Sequence, residues 1–174
     1  MLNQSQIDTF WKQGFLVVED LLDAQTLANV KSEYADLMDD LYAGWQAEGL
    51  VPEAAEDIGF WDKLDLAFRG GFDWYQPFDI CLPHSGIREE TPMHFGPAVF
   101  DMVRSKRIVD VMEQLIGPEL TSNPIQHVRI KPPESAVSTS ETRAHVVATD
   151  WHQDLGVTLE EANDTKFITV WLAI

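Results

Sequence analysis

Apolar residues recur every three or four positions in four stretches of this 174-residue chain, and each stretch carries its own start or stop signal. Residues 3–13 place Ile7, Phe10 and Trp11 on one stripe. Asn3 or Ser5 serves as N-cap, and Gly14 occupies the position past a helix end that glycine favours. Asp23 caps a longer helix reaching about Tyr42, with Leu27, Val30, Tyr34, Leu37 and Leu41 spaced for one apolar face. A short helix fits residues 60–69 and closes at Gly70-Gly71. The last helix, over 98–116, runs through Val99, Met102, Val103, Ile108, Val111, Met112 and Leu115 to a Gly117-Pro118 stop.

Other stretches read as strands. Residues 15–19 are apolar and rich in β-branched side chains, residues 119–122 make a short strand, and residues 125–131 a better one that Pro132-Pro133 ends. After a polar turn at 160–164, residues 166–174 are apolar on both faces: Phe167, Trp171 and Ala173 on one, Ile168, Val170, Leu172 and Ile174 on the other. A strand of that kind expects cover on both sides. Between Ala43 and Pro97 the pattern weakens, with Trp45, Trp61, Phe68, Phe72 and Trp74 scattered among Gly, Pro and Asp. Residues 134–143, rich in Ser and Thr, read as an exposed loop. There is no internal repeat, and residues 1–174 read as a single domain.

Charge narrows the partners. Twelve Lys and Arg face 29 Asp and Glu, a formal net charge of −17. Such a field repels nucleic acid and anionic lipid, so neither is expected as a partner. The single cysteine, Cys81, excludes an internal disulfide or a Cys-based zinc cluster, and its apolar setting marks it as a small core residue. The N-terminus has no basic and apolar leader, and no run approaches the roughly 18 apolar residues of a membrane span. These features predict a soluble, cytoplasmic protein.

The candidate chemistry lies in Asp150-Trp-His-Gln-Asp-Leu-Gly156. On an extended segment, His152 and Asp154 project to the same side and can grip one metal ion. A neutral imidazole and a carboxylate are two-thirds of the facial triad that holds Fe(II) in non-haem oxygenases, where three positions stay open for substrates. A bare His-x-Asp is weak, because five His and 29 acids make such a pair unremarkable.

Four segments, in order, raise the odds. They are Phe10-Trp-Lys-Gln-Gly-Phe-Leu-Val-Val-Glu-Asp-Leu-Leu22 with the acidic amphipathic helix after it; Met112-Glu-Gln-Leu-Ile-Gly-Pro118; Gln126-His-Val-Arg-Ile-Lys-Pro-Pro133; and Trp151-His-Gln-Asp154 followed by Thr169-Val-Trp-Leu-Ala173. Together they resemble the phytanoyl-CoA dioxygenase family of 2-oxoglutarate-dependent oxygenases, over essentially the whole chain. The first two are generic; the last two at this spacing are fairly specific. The resemblance implies an α+β fold with a mainly β core, a double-stranded β-helix (jelly roll) carrying N-terminal helices. It implies Fe(II) held by His152 and Asp154, with 2-oxoglutarate as cosubstrate and O₂ as oxidant. The expected reaction hydroxylates an unactivated C–H of a small organic substrate while the 2-oxo acid is decarboxylated to succinate. Trp171 matches a tryptophan beside the cosubstrate, His127 or Gln126 falls where relatives place a cosubstrate contact, and Gln153 faces cosubstrate or substrate. An Asp at 154, rather than a small residue, implies hydroxylation and not halogenation.

The departures matter as much. The family's second His ligand and its 2-oxoglutarate-binding Arg lie well beyond the Trp-Leu strand, and the twenty residues after Asp154 contain neither. The resemblance therefore implies a C-terminally truncated chain with the last jelly-roll strands missing. The competing expectation is a non-catalytic fragment or pseudoenzyme with two ligands, and a third is a metal-free cupin-like binding module. His84, His94, His127 and His145 are available as an upstream third ligand. His84 and His94, in loops near Pro83 and Pro92, read more simply as solvent-exposed or substrate-facing. Trp171 reads equally as a core aromatic, Trp151 as packing support, and Arg129 and Lys131 as the solvent face of an edge strand.

Overall fold

The computed structural model describes residues 1–54, 58–133, 137, 141, 146–148, 154, 158, 160–162 and 164–174. These residues form five α-helices: α1 (Gln4–Gln13), α2 (Ala24–Ala47), α3 (Phe60–Gly70), α4 (Pro97–Val103) and α5 (Lys106–Ile116). The 3-10 turns Gln76–Phe78 and Glu160–Ala162 also occur among them.

The helix boundaries follow local chemistry. Asn3 caps α1 by accepting the Gln6 backbone N–H at 2.9 Å while the Gln6 side chain returns to the Asn3 N–H, a reciprocal capping box. Gly14 ends it with φ of 82°, a left-handed conformation that side chains resist. Asp23 accepts the Thr26 N–H at 2.8 Å and starts α2, which continues one turn beyond its predicted end because Trp45 joins the buried stripe of Val30, Tyr34, Met38 and Tyr42. The helix expected over 98–116 is two helices. Ser105 takes an extended ψ of 137° and caps α5 through its hydroxyl, so the chain turns between Val103 and Lys106.

No β-strand occurs among the described residues, which overturns the mainly β, double-stranded β-helix expectation. The predicted strand segments lie as extended chain without a ladder. Residues 15–18 keep their period of two: Leu16 and Val18 pack on a core of Leu2, Val111 and Leu115, while Phe15 and Val17 are exposed. The apolar edge of the segment is satisfied by helix side chains rather than by a second strand. Ile168, from the predicted C-terminal strand, joins that same core. Alternation of this kind reports one buried face, and does not by itself say that a sheet buries it.

The chain divides into two compact units. One comprises Met1–Val30, Pro97–Ser122 and Trp151–Ile174, and its core is the Leu2, Val111 and Leu115 cluster between α1 and α5. The Gln114 side chain brackets Leu2 there, accepting its N–H at 2.8 Å and donating to its carbonyl at 3.1 Å. The other comprises Lys31–Gly96 and Asn123–Asp150. Its core is aromatic, with the rings of Tyr34, Trp45, Phe60 and Trp74 each about 6.2–6.3 Å from that of Phe78. Phe78 is fully buried and ends the 3-10 turn, so the residue after it, Asp79, is carried into the interior with it.

Candidate functional site

Asp79 is the one charged side chain in the buried core of the described residues, only 3% exposed. A carboxylate there needs several donors to replace its lost hydration. It has them: Oδ1 accepts the backbone N–H groups of Ile80 at 2.9 Å and Val128 at 3.1 Å, and Oδ2 lies 2.8 Å from His127 Nδ1. Since an ionised carboxylate only accepts, the shared proton sits on His127 Nδ1. The His127 side chain is 34% exposed, so the imidazole sits at the edge of the interior.

The segment holding His127 is extended and alternates. Gln126, Val128 and Ile130 turn inward; Ile125, His127 and Arg129 turn outward. In place of a neighbouring strand, side chains satisfy the backbone of Val128. Asp79 takes its N–H, and the Tyr75 hydroxyl donates to its carbonyl oxygen. Arg129 Nη1 donates to the Tyr75 oxygen at 3.0 Å, which fixes that hydroxyl toward Val128. Burial, then the nearby Asp79 charge, pushes the Tyr75 hydroxyl well above the ordinary tyrosine range, so it stays a donor.

A second imidazole stands in the same unit. His94 Nε2 lies 3.0 Å from Glu33 Oε1, both side chains are 13% exposed, and the His94 ring meets Tyr34 edge-on at 5.0 Å. The backbone ties the two pairs together, since the His94 N–H donates to the Asp79 carbonyl at 2.9 Å. Gly96 permits the Glu33 approach, because a Cβ there would sit 1.8 Å from Glu33 Oε1. The reading of His94 as a solvent-facing or substrate-facing loop residue is thereby corrected: it is inward and paired. Its neighbours Met93 and Phe95 face the other way and line an apolar groove of about 360 Å3 with Ile80, Leu82 and Ile125.

The other predicted site residues lie as follows. Gln126 is half-buried and donates through Nε2 to the Asn123 carbonyl at 2.9 Å, closing a local turn. Lys131 donates to the Val147 carbonyl, and burial holds its ammonium below the ordinary lysine range. Trp171 is 69% exposed and not part of a core. His84 is exposed, as expected of a loop histidine. Asp154 Oδ2 accepts the Thr169 hydroxyl at 2.5 Å. His152, Gln153, Trp151 and His145 lie outside the described residues. No group of three His, Cys, Asp or Glu among the described residues is arranged to hold a metal ion.

Sequence reasoning passed over Asp79, Tyr75 and Glu33. A signal for the first existed: a lone carboxylate inside the apolar run Phe78–Leu82 is either exposed or compensated, and the flanking aromatics favour burial. Glu33 had none, since it sits among Asp36, Asp39 and Asp40 on what looks like one solvated face.

Comparison with family models, with curated proteins and with solved structures gives no match to this chain. No helix among the described residues is long and apolar enough to cross a membrane.

Proposed function

We infer that this chain is an Fe(II)- and 2-oxoglutarate-dependent dioxygenase, cytoplasmic, that hydroxylates a small organic substrate. The observation that carries the reading is the sequence Trp151-His152-Gln153-Asp154, preceded by Gln126–Pro133 and followed by Thr169–Ala173. The donor set suits the metal: imidazole and carboxylate match divalent iron better than zinc-type thiolate sites. The hydroxyl of Thr169 on Asp154 is the kind of second contact that orients a ligating carboxylate. When bound, the metal would supply activation of O₂. In this reading His152 and Asp154 hold it, and His127, Gln126, Gln153 and Trp171 are the residues assigned to 2-oxoglutarate.

Anaerobic titration of Fe(II) or Mn(II) into the wild type, His152→Ala and Asp154→Ala tests the pair, followed by an assay for succinate from 2-oxoglutarate. Saturable heat in the wild type, lost in both variants, together with succinate formation establishes the enzyme. Equal heats in all three remove the metal site and leave a metal-free binding module. Binding without succinate supports the second reading, a two-ligand protein with no turnover.

A further inference from the structure

Asp and Glu outnumber Lys and Arg by 29 to 12, and the arginines of this chain lie against them. Arg69 pairs with Asp65 at 2.8 Å, Arg88 with Glu90 at 3.0 Å and Arg104 with Asp101 at 2.9 Å, while Arg107 faces the Asp23 charge. Among the described residues Arg129 is the exception, since no carboxylate forms an ion pair with it. Its side chain donates instead from Nη1 to the Tyr75 oxygen at 3.0 Å. Asp79 lies beside the same hydroxyl, but its oxygens already take the Ile80 and Val128 N–H groups and His127.

Arg129 is exposed, yet its guanidinium is fixed. Tyr75 is buried and gives its hydroxyl proton to the Val128 carbonyl, so its oxygen is turned to accept from Arg129. A guanidinium held in this way has lost freedom before a ligand arrives, and its fork carries more donors than one bond uses. Lys131 is next in the same alternation, about 7 Å along the segment. Its Nζ is tied to the Val147 carbonyl, and burial, then the Arg129 charge, hold its ammonium below the ordinary range. Two cations fixed side by side repel, and an anion between them relieves that repulsion. The net charge of −17 gives anions no general attraction to this chain, so affinity must come from these local donors. It also disfavours a phosphate more than a singly charged, planar carboxylate, which matches the fork. We propose that Arg129, held by Tyr75 and flanked by Lys131, binds a carboxylate of a small organic acid. The 2-oxo acid of the proposed function is one such acid, and only the choice of that acid rests on that reading. All of these residues lie in one compact unit.

The test uses the whole chain, metal-free, with 2-oxoglutarate as probe and its dimethyl ester as the same body without the charges. Calorimetry is expected to show the diacid binding about tenfold to a hundredfold more tightly than the diester, the worth of charge-assisted hydrogen bonds. Arg129→Gln should bring the diacid close to the diester and leave the diester unchanged. Arg129→Lys keeps the charge without the fork and should fall between the two. Equal affinities of diacid and diester for the wild type, or no binding of the diacid, would overturn the proposal, and neither result needs a variant to fold. Undiminished diacid binding in both Arg129 variants would overturn it as well, and displacement of the diacid by equimolar inorganic phosphate would overturn the assignment to a carboxylate. Failure here is distinct from failure of the iron reading: metal heat lost in His152→Ala with diacid binding indifferent to Arg129 removes this site alone. Diacid binding that needs Arg129, with no metal heat, keeps the site and removes the iron.

Discussion

Asp79 holds His127 across 48 residues of sequence, Oδ2 to Nδ1 at 2.8 Å, with the carboxylate buried and the imidazole at the surface. The pair is unequal. Asp79 also carries two backbone N–H groups, so it organises the Ile80 and Val128 backbones as well as the ring. The described hydrogen bond of the His127 side chain is the one to Asp79.

That asymmetry should appear in stability. Asp79→Ala strips three donors of their acceptor in the interior and should destabilise the protein by about 3 kcal/mol. His127→Ala leaves the carboxylate with two backbone donors, at a position partly open to water, and should lose about 1 kcal/mol. Urea unfolding followed by circular dichroism measures both. Equal losses in the two variants would mean that Asp79 does not anchor the Val128 segment.

Two glycines give opposite expectations from the same substitution. In Gly96→Ala the new Cβ would meet Glu33 Oε1 at 1.8 Å and His94 Nε2 at 2.2 Å, so the half-buried pair must separate. The expected loss is about 1–3 kcal/mol, an overpacking effect. Gly44, inside α2, has nothing within 4 Å of such a Cβ, and Gly44→Ala should raise stability by about 0.5–1 kcal/mol through helix propensity. Thermal melts of the two variants against the wild type decide it. A stabilised Gly96→Ala would contradict the close packing of Glu33 on His94.

What could be read in the sequence was whatever is encoded within a few residues. Asn3, Gly14, Asp23, Gly71 and Gly117 each mark a helix end because capping is satisfied by neighbours in the chain. Ser105 is the same kind of signal, and it was hidden because apolar spacing continues across it from Met102 to Ile108. The extended segments were legible as extended, and their partners were not. Nothing near Val128 says that its N–H goes to Asp79 and its carbonyl to Tyr75, because those contacts span 49 and 53 residues. The candidate site divides the same way. His127 was named only through the family resemblance, and the carboxylate that pairs with it is visible only when the chain is folded.

Extended packing on helices, rather than in a ladder, has its own test at residues 15–18. Val17 is 73% exposed and its backbone is in no sheet, so Val17→Lys should change stability by less than about 0.5 kcal/mol. Val18→Lys would force a charge against the Leu2, Val111 and Leu115 cluster and should lose several-fold more. Chemical denaturation of the pair gives the comparison. Similar losses at both positions would show that both faces of the segment are covered.

The tyrosines predict how the protein fails in alkali. All three, Tyr34, Tyr42 and Tyr75, are held above the ordinary value near 10, and burial is the first cause in each. For Tyr34 and Tyr75 the shift is large, and the negative charges of Glu33 and Asp79 add to it. Their hydroxyls donate to the Phe78 and Val128 carbonyls, bonds that a phenolate cannot make. Between pH 10 and the higher folded values, the folded chain keeps protons that the unfolded chain releases. Stability is then fully present below about pH 10 and falls as pH rises above it. Tyrosinate absorbance in the near ultraviolet should therefore stay low past pH 10 and climb steeply together with the loss of helical circular dichroism. Tyr34→Phe and Tyr75→Phe should each make that alkaline transition shallower, since each removes one of the released protons. A gradual rise of tyrosinate centred near pH 10, with helix content unchanged, would mean that these hydroxyls are open to solvent and that Tyr75 does not hold the His127 segment in place.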